Sequence, residues 1–309
     1  MRAVKALILV AALAWVGNMV VASVRAVRAG ELVLHVRPWW LLLSAVIIVG
    51  TYLVLIRSWL YIVTGLSGKS IPFLLGARIW FVSNLGTLIP GRVWGIIQMG
   101  AMSADAGISP TAAGVASIIN ASVNIATGMA VGAIAGTSIL GGSFGDHAAL
   151  SWLLAGAAAL GVIALPVIVP WAFARARRFG VKIPEEEVPH RLIAVSALAN
   201  VLAWVLYGAA FLCLTRGIVD IQSRSLVQHI AANATSYVAG YIAFFTPAGI
   251  GVREETLHQI MVAANMATPA AAGAISVVSR LWHLIIQVLP GLIFLAYRRP
   301  RHEKDPAAG

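Results

Sequence analysis

Residues 241–255 read YIAFFTPAGIGVREE, an apolar run that is interrupted by proline and glycine and then continues with one arginine and two glutamates. Proline removes a backbone hydrogen-bond donor and glycine relaxes the helix, so the chain can turn at this point. A similar interruption occurs at 85–94, LGTLIPGRVW. Both interruptions lie inside long apolar segments, roughly 71–107 and 225–267. We expect each segment to form a hairpin.

The composition around these segments is that of an integral membrane protein. Hydrophobic residues make up 60% of the 309 residues and charged residues only 11%, whereas soluble chains carry about 25% charged residues. So few ionisable side chains cannot cover a soluble globule of this size, which excludes secreted enzymes and cytosolic binding modules. The formal charge of +11 is spread thinly between apolar runs and suits anionic lipid headgroups better than nucleic acid.

Six apolar stretches are long enough to cross roughly 30 Å of hydrocarbon, at about 20 residues each. They lie near 4–24, 38–63, 111–137, 149–174, 191–214 and 270–297. The first follows Arg2 and Lys5 as in a signal peptide, but no small-residue cleavage site follows it, so we interpret it as an uncleaved helix. The two broken segments are either re-entrant hairpins, which we favour, or pairs of short full crossings.

The distribution of Lys and Arg predicts the orientation. With six spans and the N-terminus inside, thirteen of these residues lie in cytoplasmic segments and five lie outside, namely Arg25, Arg28, Arg37, Arg216 and Arg224. We therefore expect a multi-pass protein of the cytoplasmic (inner) membrane with both termini in the cytoplasm, and a disordered tail at 299–309. The first three of the outside arginines are the weakest fit to this topology.

The two halves of the chain, 1–148 and 149–298, have the same order of segments: two helices, a broken hairpin and a closing helix. Short motifs recur 159 residues later: LIR at 55–57 as LTR at 214–216, and SPTAAG at 109–114 as TPAAAG at 268–273. Because the first half makes three full crossings, the second half enters from the opposite face. We expect an all-α polytopic membrane protein with two inverted-topology repeats, as in alternating-access transporters. Chance similarity between Ala-rich helices is the alternative.

Four arginines fall within the predicted membrane segments: Arg57, Arg92, Arg253 and Arg280. A charge at the bilayer centre costs about 2.5–3.5 kcal/mol on insertion scales, so each should face a cavity or a partner unless it lies near an interface. Arg57 lies near a helix end, where a long side chain can reach the interface. We interpret Arg57 as structural.

The two hairpin breaks combine features of an anion site. They are formed by Pro90 and Gly91 in the first hairpin and Pro247, Gly249 and Gly251 in the second, followed by Arg92 in one and by Arg253, Glu254 and Glu255 in the other. A broken helix exposes backbone N–H groups, and an arginine at this depth can fork onto phosphate oxygens. The alternative is that Arg253 and its neighbouring glutamates lie in a wetted loop at the interface.

Arg280 lies some ten residues into the last span, too deep to reach the interface easily, and is the strongest single candidate. His283 shares its helix face at i,i+3 and either carries a proton or forms a structural hydrogen bond. Asn120 and Asn124, an i,i+4 pair, either line a polar path or bond helix to helix. We expect substrate binding by Arg92, Arg253, Glu254 and Arg280, with Glu254, Glu255 and His283 as candidate proton carriers.

The chain has no signature of an enzyme or of cofactor binding. The motifs GxxxxGK[ST] and HExxH do not occur in the sequence, and the single match to GxSxG, GGSFG at 141–145, lies between two predicted spans rather than at a strand-to-helix turn. Cys213 is the single cysteine, so an intrachain disulfide is impossible and no Cys/His spacing suits zinc or haem. We expect no catalytic residue, no cofactor and no metal.

The elements IPGRVW at 89–94 and PAGIGVRE at 247–254 resemble those of the lysylphosphatidylglycerol synthase transmembrane-region family, a flippase-like domain found alone and fused to aminoacyl-lipid synthases. The first is similar to that family's Pro-Gly-Lys/Arg element and the second to its Pro-Gly-Gly-x-Gly-x-Arg-Glu element, with Ala248 in place of a glycine. Arg280 matches the arginine expected in the last span. The resemblance covers about 5–298 and implies a stand-alone member, without the synthase domain, that moves an amphiphilic lipid between leaflets.

From these patterns we expect a flippase-like transporter that moves an anionic lipid, such as a phospholipid or a polyprenyl-phosphate glycolipid, between leaflets of the cytoplasmic membrane. Transport would be passive or coupled to a proton or ion gradient. The expected partners are membrane lipids with anionic headgroups and no nucleic acid. One alternative is a non-transporting scaffold or lipid-binding partner of a glycosyl- or lipid-transferase. A third is a membrane transferase that uses Glu254 or Glu255.

The topology can be tested by cysteine labelling in a Cys213→Ala background. We expect Ser143→Cys to react with an impermeant reagent only from outside and Ala307→Cys only from inside, because the charge count places them on those sides. Gly68→Cys and Gly107→Cys should label from one common face. Labelling of these two from opposite faces would refute the re-entrant interpretation of the first hairpin.

Overall fold

The computed structural model describes residues 14, 17–19, 21–30, 32–86, 93–143, 148–178, 188–243 and 249–296. Within these ranges the chain is helical and contains no strand, which confirms the all-α class. A helical segment at 21–28 precedes helices that we number α1 (Pro38–Ser67), α2 (Phe73–Leu85), α3 (Val93–Asp105), α4 (Pro110–Ser143), α5 (Ala148–Arg178), α6 (His190–Ile218), α7 (Leu226–Ile242), α8 (Val252–Ala263) and α9 (Pro269–Ala296).

Five of these helices, α1, α4, α5, α6 and α9, are long and apolar enough to cross a membrane. They coincide with five of the six predicted spans, and the remaining one, at 4–24, falls largely outside the described residues. A helix satisfies its backbone hydrogen bonds internally, which hydrocarbon requires. The chain is therefore a multi-pass membrane protein.

Helix α5 presents a broad apolar surface to the surroundings. Trp152, Leu160, Ile163 and Trp171 on this helix are 65–73% exposed, although α5 packs against α4 and α6. A contiguous surface of large apolar side chains is unfavourable in water and is readily covered by lipid tails. The exposed face of α5 therefore faces lipid.

Helices α1 and α6 pack antiparallel along their length. The Ser44 hydroxyl donates to the Ala210 carbonyl at 2.8 Å, and further along α1 the Ser58 hydroxyl lies 3.1 Å from that of Ser196. The residue numbers rise on α1 while they fall on α6, so the two helices run in opposite directions. The end of α1 thus lies beside the start of α6.

The segment before α1 closes the far end of this helix pair. The backbone N–H groups of His35 and Arg37 donate to the carbonyls of Ile218 and Gly217, each at 2.9 Å, and so satisfy acceptors that the end of α6 would otherwise leave open. The Arg37 guanidinium also donates to the Asp220 carboxylate at 2.6 Å, and this hydrogen bond lowers the pKa of that exposed carboxyl.

The two predicted hairpins correspond to α2 with α3 and to α7 with α8. At about 1.5 Å per residue, the 13 residues of α2 or α3 and the 12 of α8 extend roughly 18–20 Å, and the 17 residues of α7 about 26 Å. The ends of each hairpin lie together: Lys69 Nζ donates to the Gly107 carbonyl at 3.1 Å, and the Gln222 N–H to the Met266 carbonyl at 3.1 Å.

The second hairpin turns where the sequence predicts it. Gly249 and Gly251 both have positive φ, +71° and +87°, a region that side chains with a Cβ rarely adopt. A Cβ on Gly249 would also lie only 2.2 Å from the carbonyl oxygen of Gly240 on α7. The predicted break residues Pro90, Gly91 and Arg92 of the first hairpin and Pro247 of the second lie outside the described residues.

Packing between the halves is reciprocal. The first helix of each hairpin contacts the closing helix of the other half: α2 packs against α9, and α7 packs against α4. The largest apolar core draws residues from α1, α2, α4, α6 and α9, with Trp59 and Ile193 completely buried near its centre. Both halves of the chain therefore contribute to one core.

A seam of hydrogen-bonded polar side chains runs between α1, α4 and α6. The Ser58 hydroxyl lies 3.3 Å from Asn120 Oδ1 and 3.1 Å from Ser196 Oγ. Asn124 donates through Nδ2 to Asn200 Oδ1 at 2.8 Å. The predicted Asn120 and Asn124 pair therefore bonds helix to helix.

The turn of the second hairpin gives a stability prediction. Gly249→Ala should destabilise the protein by about 2 kcal/mol or more, because the new Cβ meets both a positive φ and a backbone carbonyl. Thermal melting in detergent measures the change. Gly136→Ala, on α4 with open space around the new Cβ, is the matched control and should be neutral or slightly stabilising. Equal melting temperatures for the two variants would contradict the assignment.

Candidate functional site

The described residues line an open cavity of about 340 Å³ between the two halves of the chain. This volume falls within the roughly 300–1,000 Å³ of small-molecule pockets. Its polar and aromatic lining comes from α1 (Tyr52, Trp59), α2 (Trp80, Ser83, Asn84), α4 (Ser117, Asn120, Asn124), α6 (Tyr207), α7 (Tyr237, Tyr241), α8 (Arg253) and α9 (Arg280, His283, Gln287). Both hairpins and both closing helices thus meet at one cavity.

Arg253 is the buried cation of this cavity. It is the second residue of α8, directly after the turn at Gly251, and only 6% of its surface is exposed. Its Nε and Nη2 atoms are buried and have no hydrogen-bond partner among the described residues. The guanidinium carbon lies 5.9 Å from the centre of the Tyr237 ring. Arg253 therefore has N–H groups left for a ligand.

Arg280, by contrast, is paired. Its Nη1 atom donates to Glu254 Oε1 at 3.0 Å, and the side chains are 23% and 3% exposed, respectively. The other oxygen of Glu254 accepts the backbone N–H of Gly251 at 2.8 Å, which is a capping interaction at the start of α8. Glu254 thus joins the hairpin turn to the closing helix, and its two oxygens are both engaged.

The other predicted site residues divide between the cavity and its surroundings. His283 lines the cavity, with Nδ1 3.1 Å from the Ser279 carbonyl and its ring 5.5 Å from the ring of Tyr207. Glu255 is not part of the lining, and its Oε1 accepts a hydrogen bond from Gln259 at 2.6 Å. Asn120 and Asn124 line the cavity and also join helices. Arg92 lies outside the described residues.

Sequence reasoning missed the aromatic wall of the cavity. Tyr52 lies 5.3 Å from Trp80 and 6.2 Å from Tyr207, measured between ring centres. These residues come from α1, α2 and α6, so no spacing within one segment brings them together. The available signal was weak: tyrosines inside otherwise aliphatic spans, where a hydroxyl needs a polar neighbour.

This arrangement can bind an anion beside aromatic and amide groups. An arginine with open N–H groups favours a phosphate or carboxylate, and burial strengthens such charge-assisted hydrogen bonds. No group of three His, Cys, Asp or Glu side chains that could hold a metal ion occurs within the described ranges.

Stability measurements can test whether Glu254 and Arg280 form a structural ion pair rather than part of a ligand site. Glu254→Ala and Arg280→Ala should each destabilise the protein, and Glu254→Ala more, because it also releases the Gly251 N–H. The double variant should lose less than the sum of the singles, with a coupling of about 1–3 kcal/mol. Melting in detergent measures all three against Arg191→Ala, an exposed arginine at the start of α6. Strict additivity would contradict a stabilising pair.

Comparison with known proteins supports the resemblance seen in the motifs. The profile of the family described as "Lysylphosphatidylglycerol synthase TM region" matches residues 2–291. No curated protein matches the chain in sequence. The matched range includes both hairpins and the cavity-lining residues of α8 and α9. Because it covers nearly the whole chain, the protein belongs to the lysylphosphatidylglycerol synthase transmembrane-region family.

Proposed function

We propose that the protein is a flippase-like transporter that moves an anionic lipid between the leaflets of the cytoplasmic membrane. The observation that carries this proposal is Arg253, a buried guanidinium with two unpartnered nitrogen atoms on the wall of a cavity inside a membrane protein. A buried charge without a partner is costly unless a ligand neutralises it. A phosphate-bearing headgroup supplies the missing charge and acceptors.

The packing supports an inverted repeat, which is the architecture of alternating-access transporters. Helices α1 and α6 hold equivalent places in the two halves and run antiparallel. The hairpins follow these two helices in the chain, so they start from opposite ends of the α1 and α6 pair. The reciprocal contacts of α2 with α9 and of α7 with α4 agree with this relation.

The short hairpin helices support re-entrant segments. The described hairpin helices, at roughly 18–26 Å, are too short to span roughly 30 Å of hydrocarbon unless the bilayer thins locally. Irregular backbone at membrane depth is tolerated where it borders a wet cavity. In the proposed mechanism the headgroup passes through this cavity while the acyl or prenyl chains stay in lipid.

The proposal is for a transporter rather than an enzyme, with membrane lipids as partners and both termini in the cytoplasm. Without a nucleotide-binding motif, we propose that transport is passive or coupled to an ion gradient. Among the three candidate proton carriers, His283 is the one that lines the cavity. Glu254 is already engaged by Arg280 and by the Gly251 N–H, which suits a structural role.

Reconstitution into liposomes with an anionic lipid that carries a fluorophore on its acyl chain tests this function. An impermeant quencher reads the movement of the lipid between leaflets. Arg253→Ala should slow transport by about tenfold or more, because each lost charge-assisted hydrogen bond is worth roughly 1.5–3 kcal/mol. Arg253→Lys should restore transport only partly, since an ammonium lacks the planar fork.

Two controls distinguish binding from folding. Arg253→Met should keep or raise the melting temperature while it abolishes transport, because it removes an unpaired buried charge and keeps an unbranched side chain of similar length. Arg57→Ala should transport normally. Wild-type rates in Arg253→Ala would refute the anion site. Binding without movement would support the scaffold alternative, and a chemically altered lipid would support a transferase.

A further inference from the structure

Among the described residues, no carboxylate lines the cavity. The described residues include four, Asp105, Asp220, Glu254 and Glu255, and the lining contains none of them. Asp105 is exposed at the end of α3 and Asp220 in the loop after α6, and Glu255 accepts a hydrogen bond from Gln259. The segments 87–92 (TLIPGR) and 244–248 (FFTPA), which connect the hairpin helices, contain no acidic residue in their sequence.

The nearest carboxylate is not available to a ligand. Glu254 is 2% exposed and lies outside the cavity lining, and its oxygens accept hydrogen bonds from Arg280 at 3.0 Å and from the Gly251 N–H at 2.8 Å. An ammonium group in the cavity would therefore meet Arg253 and Arg280 without an opposite charge. Such a group would lose its hydration and gain repulsion from the two guanidinium groups.

The uncharged part of the lining suits hydroxyl groups instead. Asn120 accepts a hydrogen bond through Oδ1 and Asn124 donates one through Nδ2. Nδ2 of Asn120 and Oδ1 of Asn124 have no hydrogen-bond partner among the described residues. Gln287 lies on the same cavity. Amides both donate and accept, as hydroxyl groups require. The faces of Tyr52 and Trp80 are apolar with negative potential and can pack against the C–H bonds of a polyol or sugar.

We infer that the transported headgroup is a phosphate linked to an uncharged, hydroxyl-bearing group, and that headgroups with an ammonium are rejected. This inference rests on the proposed function. Two kinds of lipid share the chemistry: a glycerophospholipid with a polyol headgroup, and a polyprenyl phosphate that carries a sugar. Both place a negative phosphate near Arg253 and hydroxyl groups near the amides, and neither brings a positive charge into the cavity.

The test compares four lipids with a fluorophore on the hydrophobic chain: phosphatidylglycerol, lysyl-phosphatidylglycerol, phosphatidylethanolamine and a short-chain polyprenyl-phosphate hexose. Each is reconstituted with the wild-type protein, and an impermeant quencher measures transfer between leaflets. We expect phosphatidylglycerol, the hexose lipid or both to move at least about tenfold faster than the two ammonium lipids. The faster of these two lipids shows whether the headgroup belongs to a glycerophospholipid or to a polyprenyl phosphate.

Two variants that add a carboxylate sharpen the test. Asn120→Asp keeps the acceptor for Ser58 and replaces the amide Nδ2 by an oxygen, and Gln287→Glu makes the same change on α9. Either should raise the rate for lysyl-phosphatidylglycerol relative to phosphatidylglycerol, because the ammonium then has a partner. The second variant guards against a folding defect in the first.

The outcomes distinguish headgroup selectivity from lipid transport itself. Equal rates for the ammonium lipids and the hydroxyl lipids in the wild-type protein would overturn this inference and leave the transport function standing. Movement of none of the four lipids would overturn the proposed function and the inference with it. Selectivity for the hydroxyl lipids that shifts toward the lysyl lipid in Asn120→Asp or Gln287→Glu would establish both.

Discussion

The carboxylate of Glu254 holds the second hairpin to the rest of the membrane bundle. It accepts the Gly251 N–H at the turn and receives the guanidinium of Arg280 from the closing helix. Both groups would be costly in hydrocarbon alone, since one is an open backbone donor at a helix start and the other a full charge. A single side chain thus permits an irregular turn and a deep arginine at the same place.

This arrangement leaves the neighbouring Arg253 in a different state. Glu254 follows it in sequence, but the hydrogen bonds of Glu254 go to Arg280 and to the Gly251 N–H, and Nε and Nη2 of Arg253 have no hydrogen-bond partner among the described residues. An unpaired buried charge reduces the stability of the fold by itself. Such a cost is characteristic of binding sites, where a ligand returns the lost interaction energy.

The cavity depends on packing between the halves more than on any one element. Helices α1 and α6 pack antiparallel at the centre of this arrangement. The first helix of each hairpin packs against the closing helix of the other half, α2 against α9 and α7 against α4. The aromatic wall and the amides come from different helices of this arrangement. Under the proposed function, selectivity for a headgroup follows from how the halves pack, and a change in that packing would open the cavity to one side or the other, as alternating access requires.

The sequence by itself determined the membrane class, five of the spans, and the place where the second hairpin turns. Each of these follows from local chemistry: hydropathy over about 20 residues, or a proline and glycines such as Gly249 and Gly251 that a turn requires. Charges at membrane depth are rare, so the sequence also singled out Arg253, Glu254 and Arg280 as candidates, and in the structure Arg253 and Arg280 line the cavity while Glu254 pairs with Arg280. Tertiary structure decided what each of these residues does. Arg253 and Glu254 are adjacent in sequence but have different surroundings: Glu254 pairs with Arg280, 26 residues away, whereas Arg253 lines the cavity. Tyr52, Trp80 and Tyr207 form one wall only because three helices cross there, and no local pattern encodes a contact between distant segments.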